Sequence, residues 1–175
     1  MKYILFLCGC CFLFLTGLKA QTRTDVKLYA YARPVAGGVP PKISTQENNL
    51  QAYSSAKAKY NYLIYLEGPA TTRIYPVEMW LYGEKKGLRT TIVTTTPVEI
   101  KTGELPPYSK TITLVPETSN TVYQLDLGMA VPGKEMAAAR AKARTNEVVV
   151  VYKYAGKFYY AAEKKIKILE PVVLQ

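Results

Sequence analysis

The chain has 175 residues, a formal charge of +10 from 23 Lys and Arg against 13 Asp and Glu, no histidine, and cysteines only at positions 8, 10 and 11. Without histidine there is no Ser-His-Asp triad, and Cys/His zinc sites and cysteine nucleophiles would have to be built from the first eleven residues. Tyrosine is unusually abundant at 15, and with Thr and Val it suits pleated, half-buried surfaces.

The first element explains the cysteines. Lys2 precedes an apolar run from Tyr3 to Leu15, and Thr16, Gly17 and Ala20 give a small-residue exit. That is the layout of a secretory signal peptide, with cleavage after Ala20. The run is shorter than the roughly 20 residues that span a bilayer as a helix. Leu7-Cys8-Gly9-Cys10 also fits a lipobox, in which Cys10 would carry the lipid, but the apolar run continues beyond it. Cleavage near Ala20 is the favoured reading, and the cysteines then serve as small hydrophobes of the leader. Removing Lys2 and Lys19 with the leader lowers the formal charge from +10 to +8. The remainder, residues 21–175, is one domain without cysteine, held by its core alone.

Val26–Arg33 alternates with period two and is a predicted strand. Pro34-Val-Ala-Gly-Gly-Val-Pro40-Pro41 then breaks regular structure, and residues 42–59 read equally as helix or loop. Tyr60–Glu67 is the next predicted strand, ended by Gly68-Pro69. Ile74–Tyr82 follows with the only tryptophan, Trp80, and Pro76 calls for an edge or a bulge near its start. Gly83-Glu-Lys-Lys-Gly87 reads as a polar hairpin loop returning into Leu88–Thr95, with Pro97–Ile100 beyond a kink. After the break at Leu105-Pro-Pro107, strands are expected at Lys110–Val115 and Thr121–Leu127.

Lys134–Arg144 is rich in alanine and long straight side chains and is a predicted short helix. Val148–Tyr154 opens with four consecutive valines, which implies a central strand buried on both faces. Ala155-Gly156 is a predicted two-residue turn. Lys157–Ala162 returns, and Lys164–Ile168 is expected to continue it with Ile166 and Ile168 on one face. Seven or eight short strands and one or two short helices predict an all-β fold, a two-sheet antiparallel sandwich of the immunoglobulin kind, with a small barrel as the alternative.

Leu114-Val-Pro116-Glu-Thr118 followed by Tyr123 and Leu125 is similar to the Leu-x-Pro-x-Thr-x-Tyr stretch of fibronectin type III domains, with the tyrosine three residues later. The whole chain, a leader ending Ala-Gln before a Tyr/Thr/Lys-rich β domain, resembles secreted envelope proteins of the Bacteroidetes. Gly156-Lys-Phe-Tyr and Lys164-Lys-Ile-Lys-Ile168 resemble the sorting domains that end type IX secretion substrates. These resemblances imply an exported sandwich and carry no activity with them.

Four acids, Glu67, Glu78, Glu84 and Glu99, lie on expected strands where a glycosidase pair could form, although solvated strand-end charge is the simpler expectation. No P-loop, GxGxxG or calcium loop occurs, and no cofactor is expected. Basic residues concentrate at Lys134, Arg140, Lys142 and Arg144 and again at Lys157, Lys164, Lys165 and Lys167. Such clusters attract anionic glycan or lipid headgroups, or guard strand edges against aggregation. After export, nucleic acid is not an expected partner. The leading expectation is a non-enzymatic envelope module that recognises a protein or glycan. It would use Pro34, Pro40 and Pro41 of the proline-rich loop, the aromatics Trp80 and Tyr82, the cations Lys134, Arg140, Lys142 and Arg144, or an open strand edge. A small glycan hydrolase and a binder of anionic polysaccharide or lipid are the alternatives.

Overall fold

The computed structural model describes residue 23 and residues 25–35, 60–101, 110–128 and 136–170. The leader, most of the proline-rich loop with Pro40 and Pro41, residues 42–59, the break at Leu105-Pro-Pro107, and Lys134 lie outside the described residues.

Among the described residues ten strands and one helix are formed, in the order β1 (Lys27–Pro34), β2 (Tyr60–Gly68), β3 (Ile74–Leu81), β4 (Glu84–Val93), β5 (Val98–Lys101), β6 (Thr111–Val115), β7 (Thr121–Gly128), α1 (Ala137–Ala143), β8 (Val148–Tyr154), β9 (Lys157–Glu163) and β10 (Lys167–Ile168). The fold is all-β. Eight strands make one curled sheet in the order β10-β1-β2-β7-β4-β3-β8-β9, and β5 and β6 form a separate pair. Strands expected in two sheets are joined through β4. Its first residues, Glu84–Lys86, pair with Leu81–Met79 of β3, and Gly87–Val93 pair with Gly128–Val122 of β7. The curl brings β9 back beside β1.

The concave side holds the main core. Leu28, Ala30, Ala32, Ile64, Leu66, Tyr123 and Leu125 from one half meet Ile74, Met79, Leu81, Val148, Val150 and Tyr152 from the other. Fully burying each large aliphatic among them contributes about 1.5–3 kcal/mol. Alternation sends the other residues of each strand to the convex side, which is covered twice. The β5–β6 pair covers one half, with Leu114 and Val115 clustered with Tyr31, Tyr65 and Val122 of the main sheet. Helix α1 covers the other, seating Ala139 and Ala143 on Trp80, Val149 and Val151. This is why Val148–Val151 are all buried: alternate valines face the core and the helix.

Pro76 meets both sequence expectations. It lies where β3 has β8 as its strand partner but not β4, and the register shifts between Pro76 and Glu78, leaving Val77 bulged. Two expectations are corrected. The first hairpin loop is Tyr82-Gly83 alone, and Glu84–Lys86 belong to β4. After Glu163 the chain bends at Lys164-Lys165 and β10 joins β1 in parallel, pairing Tyr31 with Lys167 and Ala32 with Ile168. Ile166 is therefore buried while Ile168 is 59% exposed, and the two do not share a face. The curl makes this possible, since only a short crossover separates β9 from the far side of β1.

Gly68 closes β2 against the core. A Cβ there would sit 2.6 Å from Cδ1 of Ile74 and 3.2 Å from its Cγ1, and Ile74 is fully buried. Gly68→Ala is expected to cost about 1–3 kcal/mol by overpacking, read as a lower urea midpoint at unchanged slope.

Candidate functional site: a tyrosine cluster beside a basic helix end

One end of the curled sheet gathers the start of β2, the β3–β4 turn and the end of α1. Tyr60 and Tyr62 project from the same side of β2, two residues apart, with ring centroids 6.2 Å apart. Tyr62 in turn meets Tyr82 edge-on, 6.3 Å away at 64°. Tyr60 is 40% exposed and Tyr82 51%. Pro34, the last residue of β1, pairs directly with Tyr60, so the proline-rich loop leaves the sheet at this end.

Tyr82 holds an unusual backbone conformation. It and Gly83 form a two-residue hairpin turn with φ of 51° and 79°. Positive φ at both positions is the type I′ pattern, which favours Asn, Asp and Gly. A bulky side chain in the left-handed region costs on the order of 1 kcal/mol. The surroundings hold it there: the Tyr82 N–H donates to the Glu147 carbonyl at 2.8 Å. Burial, with Tyr62 and Glu147 nearby, pushes the Tyr82 hydroxyl up to about 12, so it stays protonated at neutral pH.

Glu147 organises the rest of this end. Its carboxylate accepts the Ile166 N–H at 2.7 Å, which anchors the bend carrying Lys164 and Lys165. Gly83 lies against the helix end, with a Cβ there reaching 3.8 Å from the Ala143 carbonyl. Arg144 follows directly, exposed, and Arg140 and Lys142 are exposed on α1. The Lys142 ammonium lies 5.0 Å from the Tyr160 ring centroid. Tyr82 and Pro34, both named from the sequence, thus meet at one end beside the end of α1, while Lys142 reaches along the face to Tyr160.

Trp80 does not join them. It is 3% exposed, packs under α1, and its indole N–H donates to Glu78 Oε1 at 2.6 Å. Strand alternation puts Trp80 on the covered convex face, and the turn that begins at Tyr82 frees the later side chain. Trp80 is a core residue. Tyr60 and Tyr62 were not singled out from the sequence, where they read as ordinary strand alternation.

The carboxylates do not converge. Glu84 and Glu99 are exposed, as expected, but Glu67 and Glu78 are 1% and 6% exposed. Glu67 on β2 accepts hydrogen bonds from the Tyr29 hydroxyl at 2.7 Å, Asn120 Nδ2 at 2.6 Å and Thr118 Oγ1 at 3.0 Å. Glu78 on β3, separated from β2 by two intervening strands in the sheet, is held by Trp80 with Lys85 Nζ at 3.5 Å. Each acid serves a local network. Among the described residues no three acids, cysteines or histidines come together as metal ligands.

A scan of protein-family models and searches of curated proteins and solved structures return no match. Among the described residues no helix is long and apolar enough to cross a membrane.

Proposed function

We propose that the chain is a non-enzymatic binding module of the cell envelope that holds a glycan chain on the Tyr60–Tyr62–Tyr82 cluster. The observation that carries this is Tyr82, an aromatic ring held half-exposed on a backbone turn that favours small residues. Strained conformations of this kind persist where the ring has a use. Flat, amphipathic tyrosines offer apolar faces to sugar rings and hydroxyls to sugar oxygens. Arg144 just past the end of α1, and Lys164 and Lys165 on the bend anchored by Glu147, favour acidic glycans over neutral ones. The leader read at residues 1–20 supports a location outside the cytoplasm, and the two packed halves of the sheet support kinship with immunoglobulin-like sandwiches. The engagement of Glu67 and Glu78 in local networks favours binding over glycoside hydrolysis, which needs two carboxylates facing across the sugar.

Titration with a panel of neutral and acidic oligosaccharides, followed calorimetrically, tests this. Tyr60→Ala and Tyr82→Ala should each weaken the best ligand about tenfold, or about 1.4 kcal/mol. Tyr82→Asn should weaken binding to the same degree while leaving the melting temperature equal or higher, since relieved strain offsets the lost ring contact. Unchanged affinity in all three variants would exclude the tyrosine end as the site.

A further inference from the structure

The opposite end of the β3–β8–β9 half carries a second feature, independent of the tyrosine cluster. The convex face of these strands consists of three cross-strand rows: Trp80–Val149–Ala162, Glu78–Val151–Tyr160 and Tyr75–Lys153–Phe158. Helix α1 has seven residues, about 10 Å of helix, and covers only the first two rows. Tyr75 and Phe158 of the third row stay 51% and 41% exposed. Beside them opens a cleft of about 580 Å³ lined by Thr72, Arg73, Tyr75, Lys153, Ala155 and Gly156. That volume lies within the range of small-molecule sites, roughly 300–1,000 Å³.

The lining holds two cations, an aromatic ring and no acid. The Arg73 guanidinium lies 5.1 Å from the Tyr75 ring centroid, and Lys153 stands directly across from Tyr75 on β8. Stacking engages the flat face of a guanidinium and leaves its in-plane N–H groups for a carboxylate or sulfate. The hairpin tip bordering the cleft has positive φ at both Ala155 (46°) and Gly156 (81°). Asn or Asp commonly fills such turns and would place an acceptor beside the cations; Ala and Gly place none. Nothing lies within 4 Å of a Cβ built on Gly156, so this wall stays open. Glu78, one row further along the face, is engaged by Trp80 and Lys85.

We infer that the Arg73–Tyr75–Lys153 cleft binds an acidic sugar, its carboxylate or sulfate held between Arg73 and Lys153 and its ring against Tyr75. Two cations beside one cleft repel each other, and an anion between them removes that repulsion. Binding should therefore weaken with salt.

Nuclear magnetic resonance titration of the intact protein with digalacturonate, a sulfated heparin disaccharide and lactose tests this, read at the Gly156 amide. At least one acidic disaccharide should shift Gly156, with lactose at least tenfold weaker, and about 0.5 M salt should abolish the effect. Arg73→Gln and Lys153→Gln, both at exposed strand or loop positions, should each weaken binding about tenfold. Tyr82→Asn should leave it unchanged, which separates this cleft from the tyrosine end. The proposal is overturned by absence of a Gly156 shift with both acidic probes, or by lactose binding as tightly. It is likewise overturned if both Gln variants behave as wild type, if Tyr82→Asn abolishes the effect, or if inorganic sulfate binds as tightly as either disaccharide.

Discussion

Glu67→Ala is expected to lower stability by about 3 kcal/mol and to loosen the 118–120 segment from β2. The Glu67 carboxylate is the common acceptor for the Tyr29 hydroxyl, Asn120 Nδ2 and Thr118 Oγ1. Hydrogen bonds to a buried charged group are worth about 1.5–3 kcal/mol each, and removing the acceptor strands its donors in a covered site. The cost of burying the carboxylate is recovered in the variant, so the net falls below the sum. Lys27, 3.6 Å away and well exposed, adds little. Thr118 also accepts the Asn120 N–H and donates its own N–H to Thr96, so Glu67 holds the side chains of a segment whose backbone is tied elsewhere.

The same carboxylate gives an acid limb. Burial alone pushes the Glu67 carboxyl up, but the hydrogen bonds from Tyr29, Asn120 and Thr118, with Lys27, outweigh it and hold it below the usual carboxylate range. A carboxyl lower in the folded than in the unfolded state contributes fully at neutral pH. That contribution is lost as pH falls through the ordinary carboxylate range toward the folded-state value. Urea melts between neutral pH and pH about 3 should show stability falling in the wild type and a shallower fall in Glu67→Gln. An equally steep acid limb in Glu67→Gln would assign it to other carboxylates.

Trp80→Ala is expected to cost about 3–5 kcal/mol, because it empties the contact between α1 and the convex face. Trp80→Phe keeps most of the ring but orphans Glu78 Oε1, and should cost about 1–2 kcal/mol. Since this is the only tryptophan and is 3% exposed, its fluorescence should be blue-shifted in the folded protein and report α1 docking directly. Trp80→Phe should leave oligosaccharide affinity at the tyrosine end unchanged. A tenfold loss there, with the fold intact, would return Trp80 to the binding surface.

The strands were legible where local rules decide them. Four valines in a row announced β8, Ala155-Gly156 announced its turn, and Pro76 announced a bulge. What escaped the sequence depends on distant partners. Glu67 looked like a strand-end charge because Thr118 and Asn120, which hold it, are 51 and 53 residues away. The chain through Lys164–Ile168 looked like a continuation of β9 because its partner, β1, lies near the other end of the sequence. The hairpin loop was read one residue late and too long, as Gly83–Gly87 with Tyr82 in the strand, because a tyrosine occupies a position where Gly, Asn or Asp is the usual signal. Of the candidate surface, Pro34 and Tyr82 were named from the sequence. Tyr60 and Tyr62 were not, since only the curl of the sheet brings them to Tyr82.

The parallel pairing of β10 with β1 has a consequence in time. Among the described residues β1 is the first strand and β10 the last, and the Leu169 N–H donates to the Ala32 carbonyl at 2.9 Å. A polypeptide emerging from its N-terminus offers β1 long before that partner exists. Closing contacts of such sequence separation is slow, because the intervening loop must be brought together first. The β1 edge facing away from β2 therefore stays open until Lys167–Leu169 arrive to cover it.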